Sequence, residues 1–523
     1  MKPVPDPILF REWTPEAEAA AFGRLKGRMI DVWKTIGGNT GESAYTSVVV
    51  PSLTLDQEEL QKIPGAAFYE ERLLFLLMRL RNPRARLVYV TSQPVHPLVL
   101  EYYLQLLAGI PASHARSRLT LLCAYDSSSR SLTEKILERP RLMERIRAGI
   151  QDPSRAFLTV FNSTQLERRL AILLDIPLFG CDPALMSVGT KSGSRKVFAE
   201  AGIAVPAGFE ELRTPGDVVL ALAELKRIRP GLKRAVIKLN ASFSGEGNGV
   251  FRYPLEEEPD ALADALTRIE FPVVAETFET FFAKFGRMGG VVEEFLEGEE
   301  RSSPSAQLLI EPNGKPVLLS THDQILGGPA GQLYLGCRFP ARQSYRREVG
   351  EAGLRVGEVL ARRGVIGRFG IDTVVRPATG GGWEIFGVEI NLRKGGTTHP
   401  FLALQFLTGG AVQRETGLFV TPSGHPKYYR STDTLSSPRY RGLLPEDLIE
   451  ILTANSLHYS PITETGVLFH MIGALSQYGK VGLTVIGISR EEAETLYADT
   501  LTVLDREASA GRTAVATEGA PPE

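Results

Sequence analysis

Residues 365–400, VIGRFGIDTVVRPATGGGWEIFGVEINLRKGGTTHP, constrain this chain more than any other stretch. Two apolar runs, one holding Asp372 and the other Glu389 and Asn391, flank a glycine-rich turn at residues 380–382, and Arg393 follows shortly after. Side chains alternate faces along a strand, so Glu389, Asn391 and Arg393 are expected on one side, and Asp372 joins them if the two runs pair as a hairpin. IFGVEINL is too apolar for an exposed edge hairpin with solvated acids. Oxygen-only donors suit Mg²⁺, which usually takes one or two carboxylates and leaves other positions for phosphate and water. Positions two apart on a strand lie roughly 6.6 Å apart, a span that brackets two Mg²⁺ ions about 3.5–4 Å apart.

The chain is long enough for several domains, at 523 residues. Its formal net charge is only −2, so no global basic field draws it to nucleic acid or an anionic membrane. No apolar run is long enough to span a bilayer, and the N-terminus lacks a basic start followed by an apolar core. Cys123, Cys181 and Cys337 are widely separated, which argues against a disulfide framework or zinc site and fits a reducing cytoplasm.

Short apolar runs at 48–50, 87–91, 119–123 and 157–161 alternate with helical stretches such as 70–80 and 97–108. This pattern predicts a parallel α/β sheet, with candidate ligand contacts just past its strands at 51–52, 92–96, 125–129 and 162–164. His96, between Pro94 and Pro97, reads as part of a structural turn. Beyond residue 189 strands dominate, with helices expected at 191–201, 219–228, 343–363 and 399–407. The expected divisions are a parallel α/β domain at 1–185, a nucleotide- and metal-binding domain at 186–418, a small α+β domain at 419–507, and a disordered tail at 508–523.

Three further segments carry chemistry. In AVIKLNASFSGEGNGVF (235–251) a strand bearing Lys238 runs into a loop with Ser242, Ser244, Gly245 and Gly247. Such a loop brings backbone N–H groups and hydroxyls close to phosphate oxygens, and Lys238 adds a point charge. The spacing matches neither the P-loop nor the dinucleotide fingerprint. Lys191 opens a predicted helix, where a cation opposes the helix dipole and an anionic ligand would compensate it. Arg195 and Lys196, further along, are expected on its solvent face. In GVVEEFLEGEERSS (290–303), Glu293 could accept from an exocyclic amine, the backbone from Glu294 to Leu296 could read an adenine edge, and Glu300 could reach a ribose hydroxyl.

Taken in order, these segments resemble the ATP-grasp superfamily of carboxylate–amine ligases over roughly residues 189–407. LLSTHDQILGG (318–328), YLGCRFPA (334–341) and EINLRKGGTTHPF (389–401) look closer still to the pheganomycin-type peptide ligases. The resemblance implies a Rossmann-like pre-ATP-grasp domain, an ATP-grasp core and a small C-terminal α+β domain. It implies ATP as cosubstrate with Mg²⁺, two ions with Mn²⁺ as a substitute. It makes Lys191 and Lys238 the phosphate lysines, residues 242–249 the phosphate-covering loop, Glu293, Glu294 and Leu296 the adenine linker, and Glu300 the ribose acid. Asp372, Glu389 and Asn391 become the metal ligands, and Arg393 the oxyanion-stabilising arginine. The implied reaction joins a substrate carboxylate to the amine of an amino acid or peptide through an acyl phosphate, with His322 and His399 as secondary catalytic candidates. A homodimer is a further expectation. A carboxylase or phosphotransferase on the same core, or a non-catalytic ATP-binding regulator, are the competing readings.

Overall fold

The four N-terminal apolar runs form one parallel sheet, in the order Leu119–Cys123, Ala85–Thr91, Tyr45–Val50, Ala156–Val160. This is a computed structural model; it describes residues 13–36, 43–55, 60, 64–241, 245, 247–255, 258–272, 276–298, 300–328 and 331–517. Val48, Val50, Val88, Val90, Leu158 and Val160 point into a core closed by helices Gln165–Leu174 and Pro140–Ala148. The strand order reverses between Tyr45–Val50 and Ala156–Val160, the place where open parallel sheets form a crevice. Polar groups there bond to one another: the Thr54 amide donates to Asn162 Oδ1 at 3.1 Å, and Asn162 Nδ2 to the Thr54 carbonyl at 2.7 Å. His96 caps helix Pro97–Gln105, a structural role as expected.

By internal contacts the chain divides into two compact units. One comprises Met1–Pro183, a short excursion at Glu311–Asn313, and Arg393–Glu523; the other comprises Ala184–Ile310 and Gly314–Leu392. In the first, the parallel sheet is accompanied by an antiparallel set in which Pro426–Ser436 and Gly466–His470 flank Lys480–Gly487. The closing helix Arg490–Thr517 runs into the stretch where a disordered tail is expected, because its alanines favour helix; residues 518–523 lie outside the described residues.

The second unit holds two antiparallel sheets. One is ordered Gly208–Leu212, Gly290–Glu294, Arg234–Leu239, Asn248–Arg252. The other runs Trp383–Asn391, Gly367–Pro377, Pro304–Ile310, Pro316–Gly327, Leu333–Phe339, with helix Arg346–Arg362 packed against the Pro304–Ile310 and Pro316–Gly327 strands. No helix among the described residues is long and apolar enough to cross a membrane.

Candidate active site

The two apolar runs pair as a hairpin, the condition on which Asp372 was expected to join Glu389 and Asn391. Strands Gly367–Pro377 and Trp383–Asn391 pair antiparallel with Asp372 directly opposite Glu389 and Gly370 opposite Asn391. The register shifts just past Asp372, so Val388 bulges between Gly387 and Glu389, and such bulges re-aim the neighbouring side chains. Asp372 accepts from Gln324 Nε2 at 2.6 Å on one oxygen and from Asn391 Nδ2 at 3.0 Å on the other. The strand ends at Asn391, so strand alternation does not carry through to Arg393. Arg393 lies past the strand end, half-buried, and donates to the Lys394 carbonyl at 3.2 Å.

Helix Lys191–Glu200 delivers a cation to these acids. Phe198 packs so tightly against the hairpin that a Cβ at Gly387 would lie 2.4 Å from its ring. Ser194 Oγ, one turn earlier, accepts the Ile390 amide at 3.0 Å. Thr190 caps the helix by accepting the Gly193 amide at 3.0 Å. Asn240, just past strand Arg234–Leu239, accepts the Lys191 amide on its carbonyl and the Ser192 amide on Oδ1. So fixed, buried Lys191 makes an ion pair with Glu389. The anion that offsets a cation at this helix start is thus a protein carboxylate, one of the proposed metal ligands.

A second charge cluster lies under strand Arg234–Leu239. Lys238 stands opposite Val291 and Val236 opposite Glu293, so Lys238 and Glu293 are diagonal neighbours. Their charged groups are 2.5 Å apart, and Arg195 Nη1 holds the other Glu293 oxygen at 2.7 Å. Burial by itself would raise the Glu293 carboxyl, but Lys238 and Arg195 outweigh it and hold it below the usual carboxylate range. The Arg195 guanidinium also bonds Glu210 at 3.0 Å.

Several expectations need correction. Arg195 is buried at 7% exposure, not solvated, because positions 191, 195 and 198 share the docked face of the helix; Lys196 is exposed, as expected, and pairs with Glu211. Glu293 is 2% exposed with both oxygens committed to cations, so it anchors Lys238 rather than meeting a base amine. Glu294 faces the other side of the strand, where its side chain accepts the Ala207 amide at 2.7 Å. The Glu294 and Phe295 amides donate to the carbonyls of Ala207 and Arg234, and the Leu296 carbonyl accepts from Arg301, which takes up most of the expected adenine-reading edge. Glu300 is exposed.

His322 is fully buried on strand Pro316–Gly327, beside Phe339 at 5.2 Å between ring centres, and burial lowers its pKa to about 3. An imidazole so enclosed is not a base for a substrate amine. His399, in the other unit, is also buried, and burial, His470 and Arg72 push its pKa well down. Ser242 and Ser244 lie outside the described residues. Gly245 has φ +85°, and a Cβ there would come within 2.4 Å of the Gln332 carbonyl, so only glycine fits the turn. The Gly247 carbonyl accepts the Leu239 amide at 2.9 Å, closing the hairpin that carries Lys238.

Among the described residues, no group of three or more His, Cys, Asp and Glu side chains is placed to hold a metal. Asp372 and Glu389 supply two carboxylates and Asn391 an amide, an oxygen set of the size Mg²⁺ takes beside phosphate and water. Gln324 and Arg195, which orient Asp372 and Glu293, were not singled out from sequence as parts of this site.

A family model described as "IQCH-like, ATP-grasp" matches residues 248–413, and one described as "PGM1 C-terminal domain" matches residues 447–500. An L-propargylglycine–L-glutamate ligase of Streptantibioticus cattleyicolor is 34% identical over 460 residues, covering 86% of this chain and 92% of that protein. Among solved structures, a biotin carboxylase from Campylobacter jejuni aligns with TM-score 0.55 at 12% identity, covering 91% of this chain and 96% of that one. An N5-carboxyaminoimidazole ribonucleotide synthetase solved with ADP aligns with TM-score 0.51 at 12% identity, covering 89% and 97%. At such identity these two likenesses concern the fold.

Proposed function

The chain belongs to the ATP-grasp carboxylate–amine ligases, and from that premise we propose which of its residues carry the reaction and what it joins. It is an ATP-dependent ligase. A substrate carboxylate oxygen attacks the γ-phosphorus, ADP departs and an acyl phosphate forms; an amine then attacks the acyl carbon and phosphate leaves. The observation that carries the residue assignment is the opposed pair Asp372 and Glu389, with Lys191 already bonded to Glu389.

In this reading Asp372, Glu389 and Asn391 would hold Mg²⁺, two ions with Mn²⁺ as a substitute, which when bound would supply positive charge against the phosphates. Lys191 is the exchangeable cation: it occupies Glu389 in the free enzyme and turns to phosphate oxygen in the loaded one. Lys238 stays oriented by Glu293, which itself is held by Arg195. Ser242, Ser244 and the amides of Gly245 and Gly247 cover the phosphates and exclude water, which would hydrolyse an acyl phosphate. The linker at Glu294 and Leu296 adjoins the base, with Glu300 toward the ribose. Arg393 stabilises negative charge building on the acyl oxygen. The amino-acid ligase of S. cattleyicolor supports amino acids as both the acyl and the amine substrate. All three cysteines are free thiols, which supports a cytoplasmic setting.

The test is ADP release measured with ATP, Mg²⁺ and a panel of carboxylates and amines, with product masses read in parallel. Release that needs both partners, with a product equal to their sum less water, supports the ligase. Bicarbonate dependence, or ADP formed with one partner alone, overturns it.

A further inference from the structure

The sheet that carries the acidic hairpin has two unlike faces. One packs on helix Arg346–Arg362: a Cβ built at Gly350 or Gly353 of that helix would meet the side chains of Leu318, Thr321, Ala306 and Leu308. Strand alternation therefore turns Ser305, Gln307 and Ser320 to the opposite face. The register sets Asp372 opposite Ser305 and Gly370 opposite Gln307, which places Arg368, Gly370 and Asp372 on that face as well. The face is polar, yet Ser305, Gln307 and Ser320 are only 3%, 4% and 1% exposed. The hydroxyls of Ser305 and Ser320 have no hydrogen-bond partner among the described residues. Burying a hydroxyl without a partner is unfavourable, so a polar ligand over this face would stabilise it.

Strand Gly367–Pro377 alternates buried and half-buried residues, and its half-buried side carries Arg368, Gly370 and Asp372 in line. The middle position has no side chain. A Cβ built at Gly370 would meet only the Ala306 carbonyl oxygen, at 3.7 Å, among the described residues, so there is room over the strand at that point. Asn391 stands opposite Gly370 on one side and Gln307 on the other. The gap is thus bounded by the carboxylates of Asp372 and Glu389 at one end and by Arg368 at the other. Four positions along a strand span roughly 13 Å, part of which the arginine's own stem can bridge. All of these residues belong to the second unit.

We infer that Arg368 holds the α-carboxylate of the amine-side amino acid across the gap at Gly370, and so selects amines that carry an acid. This rests on the ligase reading above and deepens it. In a carboxylate–amine ligation the acyl substrate's carboxylate becomes the amide carbonyl, whereas an amino acid supplying the amine keeps its own. One carbon separates that retained carboxylate from the reacting nitrogen, so its binding group must stand near the acidic pair without touching it. Arg368 is so placed, and its planar fork of donors matches two carboxylate oxygens. The hydroxyls of Ser305 and Ser320 offer hydrogen bonds to the remaining polar atoms of the substrate, directly or through water.

The test follows ligation by the full chain with ATP and Mg²⁺, offering the common L-amino acids as amines and each one's α-amide beside it. Binding of the same acids and amides is measured by calorimetry with ADP in place of ATP. Wild type is expected to bind and use the acids at least about tenfold better than the amides. Arg368→Gln should raise Kd and KM for the acids at least about tenfold, keep those for the amides within about twofold, and leave KM for ATP unchanged. Arg368→Lys, which keeps the charge and loses the fork, should fall between the two. If Arg368→Gln does not fold, the acid–amide ratio of Arg368→Lys against wild type decides. An equal loss on acid and amide, a loss on the acyl substrate instead, or no acid preference in wild type overturns the assignment and leaves the ligase intact. Acid-selective binding that Arg368→Gln abolishes, in a protein that joins no pair, overturns the ligase reading and leaves Arg368 as the carboxylate-binding group.

Discussion

Both units bury charged groups, but they balance them in opposite ways. In the second, Lys191 is matched by Glu389, and Lys238 with Arg195 by Glu293, so each charge is neutralised by a protein partner. In the first, Arg72 has one edge on Asp433 and one open, and the carboxyls of Glu70 and Glu71, buried nearby in sequence, rise to about 7. Desolvation is the leading influence on all three glutamates, Glu70, Glu71 and Glu293. Only Glu293 has two cations in contact, and only there is desolvation overcome. Burial therefore does not itself fix a carboxyl's state; the count of touching cations does.

The largest effect expected from breaking this contrast is at Glu389. Glu389→Gln removes a metal oxygen's charge and frees Lys191, at a side chain still 21% exposed. ATP-dependent phosphate release should fall by about 10²–10³ or more, while the melting temperature stays close to wild type. Near-normal turnover would remove Glu389 from the metal site.

Next is the Glu293 cluster. Arg195→Met leaves a buried carboxylate with one cation and should cost about 3–5 kcal/mol in urea unfolding. Because the Glu293 pKa is depressed, the native state resists protonation; its stabilisation is complete above the unfolded value near 4.3 and is lost as pH falls through the lower native value. The variant should therefore lose less stability on acidification than wild type. An identical acid slope would show that Arg195 does not set the Glu293 charge.

Glu70 and Glu71 should behave with the opposite sign. Their native pKa values near 7 exceed the unfolded ones, so the folded state binds more protons between about pH 4.5 and 7. Stability is then highest below that window and declines as pH rises through it, by up to about 3 kcal/mol per carboxyl. Glu70 accepts from both the amide and the hydroxyl of Ser92, and Glu71 from the Gly473 amide. Glu70→Gln should flatten the decline; a decline of unchanged size would place its origin elsewhere.

How much of this was legible before folding depends on the kind of signal. Alternation put Glu389 and Asn391 on one strand face, and a hairpin was the condition for Asp372 to join them; that Asp372 stands directly opposite Glu389 follows from the register and its bulge, which the alternation alone did not give. Lys191 and Lys238 were legible as cations at a helix start and on an apolar strand. Arg195 was not singled out, although its spacing from Lys191 and Phe198 puts all three on one helical face; only the docking of that face on Gly387 shows that it is buried. The histidines were illegible for a related reason. A strand reading HDQ gives no sign that His322 has no exposure at all while Asp323 bonds Tyr345 Oη at 2.7 Å. The Arg72 edge depends on residues more than three hundred positions apart, a relation that no local pattern contains.

The smallest predicted effect is the sharpest control, because it compares neighbours. Lys196 follows Arg195 directly and also pairs with a glutamate, Glu211, at 2.7 Å. Successive helix residues point about 100° apart, so one of the two turns into the sheet and the other toward solvent. Exposed pairs exchange water contacts for a screened attraction and lose side-chain freedom, which leaves about 0–0.5 kcal/mol. Lys196→Ala should therefore leave unfolding and ADP release almost unchanged, and its small effect should vanish in high salt. If instead it matched Arg195→Met, partner distance alone would decide the energy of an ion pair in this helix, and the buried triad around Glu293 would lose its special standing.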